Sequence, residues 1–211
     1  MELKLETICA LATGSGIGAI AVVRISGAES RKIFSQCFSK DLSKVKSHTI
    51  HFGTISGIDG TQIDEVLVSY FEHGRSFTGE ESIEISCHGS PYVQQQILAV
   101  LQQCGCRMAE PGEFTKRAFI NGKLDLSQAE AVADLIAAQS KKAHRIALSQ
   151  LKGNLSSDLK VLRESLIAFA SLIELELDFS EEDVEFADRT QLKELVAKVL
   201  TTVGQLSASF A

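Results

Sequence analysis

The stretch PGEFTKRAFINGKLDLSQAEAVADLI, residues 111–136, marks a change of architecture along the chain. It opens with the turn dipeptide Pro111-Gly112, and a second turn is predicted at Asn121-Gly122, so the residues between them are expected to form a loop. After the second turn, apolar residues recur at helical spacing, and either Asp125 or Ser127 is suited to cap the helix. The glycine-punctuated part of the chain is therefore expected to end near Gly122, and a helical part to follow.

Lys123 comes directly after the second turn, at the boundary between these two parts. A lysine at such a junction is usually a solvated surface charge. Whether Lys123 has a binding role depends on which polar side chains the first part of the chain brings close to it.

The pattern before the boundary predicts the order β–β–α–β–β–β–α–β, with short apolar or alternating strands and two amphipathic helices. This order indicates an α+β domain over residues 1–122, with helices packed on one face of a mainly antiparallel or mixed sheet. Residues 123–211 are predicted to be an all-α domain. Its three helical segments are Leu126–Lys152, Leu155–Phe179 and Thr190–Ser209.

The charge of the chain argues against a nucleic-acid-binding surface within these 211 residues. The formal net charge is -6 and the isoelectric point is near 5.4, whereas nucleic-acid binders are normally basic. Most of this acidity follows Lys123, where 14 Asp and Glu face 9 Lys and Arg. The cluster Glu181-Glu182-Asp183 suggests a divalent metal site, but a solvated acidic turn is favoured because no spaced ligand set is visible. The sequence therefore predicts no metal site.

The five cysteines, together with the absence of a secretion signal, favour a reducing, cytoplasmic location. No apolar run reaches the ~20 residues that a membrane span needs. Cys104 and Cys106 have no second ligand pair at a spacing suited to zinc. The cysteines are therefore expected to be small core residues.

Arg24 is the only charged residue in the predicted strand AIAVVRIS, residues 19–26. An arginine on an otherwise apolar strand either lies at a sheet edge with its charge in water or is held there for an anion. The sequence alone leaves these two alternatives open.

A second polar face is predicted on the strand EESIEISCH, residues 80–88. Because side chains alternate along a strand, Glu84, Ser86 and His88 share one face, and Cys87 points to the other. Cys87 and His88 therefore do not form a nucleophile and base pair. A line of acid, hydroxyl and imidazole on one face of a strand is unusual for a buried core.

Three motifs together closely resemble the amino-terminal region of the tRNA-modifying GTPases of the MnmE (TrmE) family. They are AVVRISG at 21–27, SFTGEESIEISCHGS at 76–90, and the stretch at 111–136. The resemblance extends from about Thr7 to about Glu185. It implies an amino-terminal domain similar to the tetrahydrofolate-binding module of aminomethyltransferases, which also forms the homodimer. The folate-contacting arginine, glutamate and lysine of the family match Arg24, Glu84 and Lys123.

The resemblance also implies an activity. The family adds an aminomethyl or carboxymethylaminomethyl group to the 5-position of the wobble uridine of tRNA. A flavoprotein partner, called MnmG or GidA, takes part in the reaction. The one-carbon unit is expected from 5-formyl- or methylene-tetrahydrofolate, and GTP hydrolysis with Mg²⁺ and K⁺ is expected to drive domain rearrangement.

The sequence departs from the family in one respect, since it contains no phosphate loop of the form G-x-x-x-x-G-K-[ST]. The chain is therefore expected to be the folate-binding domain and the first part of the helical domain, truncated before the GTPase domain. No catalytic residue is assigned within it. The alternative is a non-catalytic dimerising scaffold, in which the polar face of residues 84–88 lines an interface.

Overall fold

The computed structural model describes residues 6–178 and 189–209. These residues divide into two compact units, one ending at Val132 and the other beginning at Ala133. The elements, in chain order, are β1 (Ile8–Leu11), β2 (Ile20–Ser26), α1 (Ser30–Phe34), β3 (Thr49–Ser56), β4 (Gln62–Phe71), β5 (Ser82–His88), α2 (Pro91–Gln103), β6 (Arg107–Met108), α3 (Glu113–Ile120), α4 (Leu126–Ala137), α5 (Lys141–Leu151), α6 (Asn154–Asp178) and α7 (Arg189–Ser209).

The six strands of the first unit form one mixed sheet in the order β3-β4-β5-β2-β1-β6. All neighbouring strands are antiparallel except β1 and β6, which are parallel. Strands β3 and β4 form a hairpin, whose turn is closed by a 2.8 Å hydrogen bond from the Gly57 N–H to the Thr61 carbonyl. The predicted α+β class and the order of strands and helices are confirmed.

The core lies between α1, α2 and one face of the sheet. The alternation predicted for β2 and β5 holds over most of each strand, because one set of side chains is buried and the intervening set is more exposed. Ser26 and Ser82 are the exceptions, since both belong to the intervening set and are buried. Helix α2 contributes Ile97, Val100 and Leu101, and α1 contributes Ile33 and Phe34. The buried sheet residues include Ala21, Val23, Ile25, Val66, Val68, Tyr70, Ile83, Ile85 and Cys87. The opposite face of β2 and β5 therefore carries Arg24 and Glu84.

Four of the five cysteines are buried in this core, as predicted: Cys9, Cys37, Cys87 and Cys106. All five are free thiols. Burial raises the pKa of Cys87 above its ordinary value, which disfavours the thiolate that a nucleophile needs. The structure therefore offers no support for a reaction at Cys87.

The segment after Pro111-Gly112 is a helix, α3, and the prediction of a loop there was wrong. Gly112 is at the N-cap with a φ of 75°, a left-handed conformation in which glycine carries no steric cost. Glu113 and Arg117 lie one turn apart in α3 and form a 2.9 Å ion pair. The Pro-Gly dipeptide therefore marks the start of a helix, and Glu113 and Arg117 form its buried polar contacts.

The first predicted helical segment, Leu126–Lys152, is also corrected, because it consists of two helices, α4 and α5. Ser140 is extended, and its hydroxyl accepts a 3.1 Å hydrogen bond from the Ala143 N–H, which caps a new helix. At the start of α4, the Asp125 carboxylate accepts from the Gln128 N–H at 2.8 Å, so Asp125 caps that helix. Helices α6 and α7 correspond to the other two predicted segments.

The cluster Glu181-Glu182-Asp183 lies outside the described residues. Within the described part of the chain, no group of three or more His, Cys, Asp or Glu side chains is placed to hold a metal ion. No helix there combines the length and apolar character needed to cross a membrane.

Candidate ligand-binding site

Arg24 and Glu84 face each other across the pairing of β2 with β5. The Arg24 Nε and Nη2 groups donate to the same oxygen of Glu84, Oε1, at 3.0 and 2.8 Å. Because β2 lies between β5 and β1, Arg24 is in the interior of the sheet. The sheet-edge alternative for Arg24 is therefore wrong, and the anion beside it is the Glu84 carboxylate.

This ion pair keeps hydrogen-bonding capacity for a further group. Among the described residues, neither Glu84 Oε2 nor Arg24 Nη1 has a hydrogen-bond partner. The two side chains are 24% and 30% exposed, so a molecule from solvent can reach them. A free carboxylate oxygen beside a free guanidinium N–H is suited to a planar ligand edge that carries both donors and acceptors.

The pair lines a cavity of about 150 Å³. The lining also includes Arg75, Ser76 and Phe77 from residues 72–81, here called the β4–β5 loop. Two aromatic rings approach the Arg24 guanidinium: Phe77 at 5.3 Å and Phe114, from α3, at 5.4 Å, measured to the ring centroids. These are cation–π distances, which fix the orientation of the guanidinium.

Lys123 supports the site from outside the cavity. Its Nζ donates a 3.0 Å hydrogen bond to the Gly74 carbonyl in the β4–β5 loop, and no hydrogen bond or ion pair joins Lys123 to Arg24 or Glu84 among the described contacts. A Cβ added at Gly79, whose φ is +79°, would lie 3.1 Å from Lys123 Cγ. The structure therefore brings Arg24 and Glu84 together, and it connects Lys123 to them through the loop.

A buried ion cluster next to the cavity was missed by the sequence reasoning. Arg117 is 1% exposed, and its guanidinium donates to Glu80 at 3.1 Å and to Glu113 at 2.9 Å. The Glu80 carboxylate also accepts a 2.7 Å hydrogen bond from Ser26 Oγ, and Ser26 Oγ lies 2.7 Å from Thr78 Oγ1. The cluster joins α3, β2 and the β4–β5 loop. The helical spacing of Glu113 and Arg117 was the available signal in the sequence.

Glu113 is held as a carboxylate by this cluster. The Arg107 guanidinium, at 2.6 Å, is the main cause that lowers the pKa of Glu113 to about 2 from 4.5. The Glu110 N–H and Arg117 contribute further. Since the folded-state pKa is below the unfolded value, the stability from this carboxylate is fully present above about pH 4.5 and is lost as the pH falls toward about 2.

We expect Glu113→Gln to flatten the acid dependence of unfolding. The unfolding free energy of the wild type should fall more steeply than that of the variant between pH 4.5 and pH 2. Between pH 4.5 and pH 2, the wild type should lose about 1–2 kcal/mol more unfolding free energy than the variant. The loss is no larger because Arg107 is 40% exposed and water screens its attraction to Glu113. Urea unfolding at a series of pH values measures it, and parallel curves for the two proteins would contradict it.

Two other polar features lie apart from this site. The Asp64 carboxylate binds His88 through Nδ1 at 2.7 Å and through the backbone N–H at 2.8 Å. A larger cavity, of about 660 Å³, lies between the β3–β4 turn and α2, and Asp59 is the one charged residue in its described lining. Neither feature combines a cation and a carboxylate that both remain open to a ligand.

Comparison with known proteins agrees with the motifs. Residues 7–123 match the family described as GTP-binding protein TrmE N-terminus, and residues 126–211 match the family described as MnmE helical domain. The tRNA modification GTPase MnmE of Flavobacterium johnsoniae is 58% identical over 210 residues, which are 98% of this chain and 45% of that protein. The proteins of the same name from Christiangramia forsetii and Parabacteroides distasonis are 54% and 51% identical over 98% of this chain, covering 44% and 46% of their own lengths.

The chain thus spans about half the length of the curated relatives it matches. The second family match begins just after the first one ends, and the two extend from residue 7 to residue 211. The protein belongs to the MnmE (TrmE) family of tRNA modification GTPases.

Proposed function

We propose that this chain is the folate-binding and dimerisation portion of a GTPase that modifies the wobble uridine of tRNA at its 5-position. In this proposal, 5-formyl- or methylene-tetrahydrofolate binds at Arg24, Glu84 and Lys123 and supplies the one-carbon unit. The observation that carries the proposal is the Arg24–Glu84 pair, which keeps an acceptor and a donor open beside a cavity. Family membership supports the tRNA-modifying activity of the whole protein.

The chemistry of the pair suits a reduced pterin. The pterin ring presents an amide N–H and an amino group on one edge, and an ionised carboxylate accepts two such hydrogen bonds. Arg24 keeps the Glu84 carboxylate oriented through Oε1 and adds a donor for a ring carbonyl or a carboxylate of the glutamate tail. Glu84 is therefore proposed as the anchor of the ligand, and Arg24 as the residue that positions Glu84.

Lys123 is proposed to act mainly through the β4–β5 loop. Its hydrogen bond to Gly74 lies directly before Arg75 and Ser76, which line the cavity. Asn121 reinforces the same loop through a 2.7 Å hydrogen bond to the Thr78 carbonyl. The turn that precedes α4 therefore fixes the wall of the cavity, and the boundary between residues 1–122 and 123–211 is proposed to fall at this turn.

The homodimer is proposed to form on the sheet face that carries Arg24 and Glu84. This face exposes the apolar side chains Ile20, Ile50, Phe52 and Leu67, and a contiguous exposed apolar surface is typical of an interface. A dimer on this face would place the folate site next to its interface.

The remaining parts of the proposed activity belong to the whole protein. We propose that GTP, Mg²⁺ and K⁺ bind outside these 211 residues, because the sequence has no phosphate loop. The MnmG (GidA) flavoprotein and tRNA are the proposed partners, and the cytoplasm is the proposed location.

The exposed apolar face also favours a second candidate function, a dimerising scaffold that binds no folate. Titration calorimetry with 5-formyltetrahydrofolate separates the two. The folate proposal expects saturable binding with a dissociation constant in the micromolar range, and a loss of several-fold in affinity for Lys123→Ala, because the loop loses one support. If the chain is only a scaffold, neither the wild type nor Lys123→Ala should give a heat of binding while both remain folded.

A further inference from the structure

Phe77 is exposed although its loop is well ordered by hydrogen bonds. Phe77 as a residue is 39% exposed, and the β4–β5 loop is closed by a 2.7 Å hydrogen bond from the Gly74 N–H to the Gly79 carbonyl. Asn121 and Lys123 hold the same loop from outside. Leaving apolar ring area in water costs about 25 cal/mol per Å², so a fixed and exposed ring beside a cavity points to a ligand contact.

Comparison with Phe114 distinguishes two roles for the Phe77 ring: holding Arg24 in place and contacting a ligand. Both rings lie at nearly the same distance from the Arg24 guanidinium, 5.3 Å for Phe77 and 5.4 Å for Phe114. A role in holding the Arg24 guanidinium therefore explains the positions of both rings equally well. Phe77 alone of the two also lines the cavity with Arg24 and Glu84, and this second position is what a ligand-contacting ring requires.

The size of the cavity limits what enters it. Its volume of about 150 Å³ is below the roughly 300–1,000 Å³ of pockets that enclose a whole drug-sized ligand. The cavity therefore accommodates one ring system, and the rest of a larger ligand must lie outside it. Phe77 lines the same cavity as Glu84, so a ring that donates hydrogen bonds to Glu84 Oε2 comes within reach of Phe77.

We infer that Phe77 is a specificity-determining residue that stacks on the flat pyrimidinone half of the ligand's pterin ring, while the ligand's tail remains outside the cavity. This inference rests on the proposed folate function and adds to it, because it assigns the pterin ring to the cavity and names the side chain that selects for it. Offset stacking of the Phe77 ring on this conjugated half of the pterin has the strength and geometry for such selection.

The test compares Phe77→Leu, Phe77→Tyr and Phe114→Leu by titration calorimetry, with two probes: 5-formyltetrahydrofolate and tetrahydropterin, which lacks the tail. Phe77→Leu should lower the affinity for both probes by about five- to tenfold, as expected for the loss of an aromatic stack. Phe77→Tyr keeps the ring and should remain within about twofold of the wild type. Phe114→Leu removes an equivalent cation–π contact and should lose about twofold.

A spectroscopic readout checks contact independently of affinity. The sequence contains no tryptophan, so Phe77→Trp creates a single reporter, and Tyr92→Trp, in the lining of the larger cavity, is its control. Saturating 5-formyltetrahydrofolate should quench the fluorescence of the first protein and leave the second unchanged.

Equal losses in Phe77→Leu and Phe114→Leu would overturn the inference while leaving the folate function intact, because both rings would then serve only to hold Arg24. A loss with folate but not with tetrahydropterin would also overturn it, since Phe77 would then contact the tail. Absence of folate binding by the wild type would overturn the proposed function itself, and the stacking role with it.

Discussion

Glu84→Gln is expected to lower the affinity for 5-formyltetrahydrofolate by at least about a hundredfold. Each hydrogen bond to a charged group contributes about 1.5–3 kcal/mol, and the pterin edge makes two of them with the carboxylate in the proposed pose. Glutamine keeps the shape of the side chain, but it presents one acceptor and an NH₂ donor that opposes the ligand's own donors. A loss of about 3 kcal/mol corresponds to roughly a hundredfold in the dissociation constant. Titration calorimetry measures it directly.

The matched control for this prediction is Glu65→Gln. Glu65 is exposed on the neighbouring strand β4, and its replacement removes the same charge without touching the cavity that contains Arg24. Its folate affinity should stay within about twofold of the wild type. Similar losses in both variants would show that Glu84 acts only through the overall charge of the domain, and would contradict the assigned role.

Arg117→Met is expected to cost about 3–5 kcal/mol of unfolding free energy, the typical effect of breaking a buried ion pair from one side. Methionine approximates the length of the arginine stem, but Glu80 and Glu113 lose a buried cation that both contact. The carbonyl of Glu6 loses a 2.9 Å hydrogen bond as well. Urea unfolding at neutral pH measures the change.

Lys116→Met is the control for Arg117→Met, because Lys116 is the preceding residue of the same helix and is exposed. Its unfolding free energy should remain within about 0.5 kcal/mol of the wild type, as for most surface substitutions. If both variants unfold at the same urea concentration as the wild type, Arg117 does not hold α3 to the sheet and the buried cluster is not a source of stability.

The faces of β2 and β5 were predictable from the sequence because alternation along a strand is local. Alternation placed Arg24 and Val23 on opposite faces of β2, and Glu84 and Ile85 on opposite faces of β5. In the structure, Val23 and Ile85 are buried, and Arg24 and Glu84 are partly exposed. The pairing of Arg24 with Glu84 was not predictable from this pattern, because β2 and β5 are joined across 60 residues. The resemblance to a family named the two residues together, and the strand register supplies the physical reason.

The partner of Lys123 was hidden for a different reason. Its Nζ binds the backbone carbonyl of Gly74, 49 residues earlier in the chain, and a backbone acceptor leaves no mark in the sequence. Helix α3 was missed because the Pro111-Gly112 dipeptide is a strong turn signal. The buried contacts of Glu113 and Arg117, which stabilise that helix, depend on Arg107 and Glu80 in other elements.

The break between α4 and α5 was also not predictable from the sequence pattern, although the residues that cause it are close together in the chain. Apolar residues continue at helical spacing across residues 138–140, so the pattern predicted one helix. The extended backbone of Ser140 and its cap on Ala143 end that continuity. A serine is compatible with both a helix interior and an N-cap, and only the local backbone decides between them.

The proposed function requires a reduced folate to bind at the Arg24–Glu84 pair, beside the β4–β5 loop. A crystal structure of the protein with 5-formyltetrahydrofolate would show where the ligand lies. We expect the pterin edge within hydrogen-bond distance of Glu84 Oε2, the oxygen that Arg24 does not occupy, with the ring against Phe77 and the glutamate tail outside the cavity. Folate bound instead in the larger cavity between the β3–β4 turn and α2, with the Arg24–Glu84 pair untouched, would contradict it.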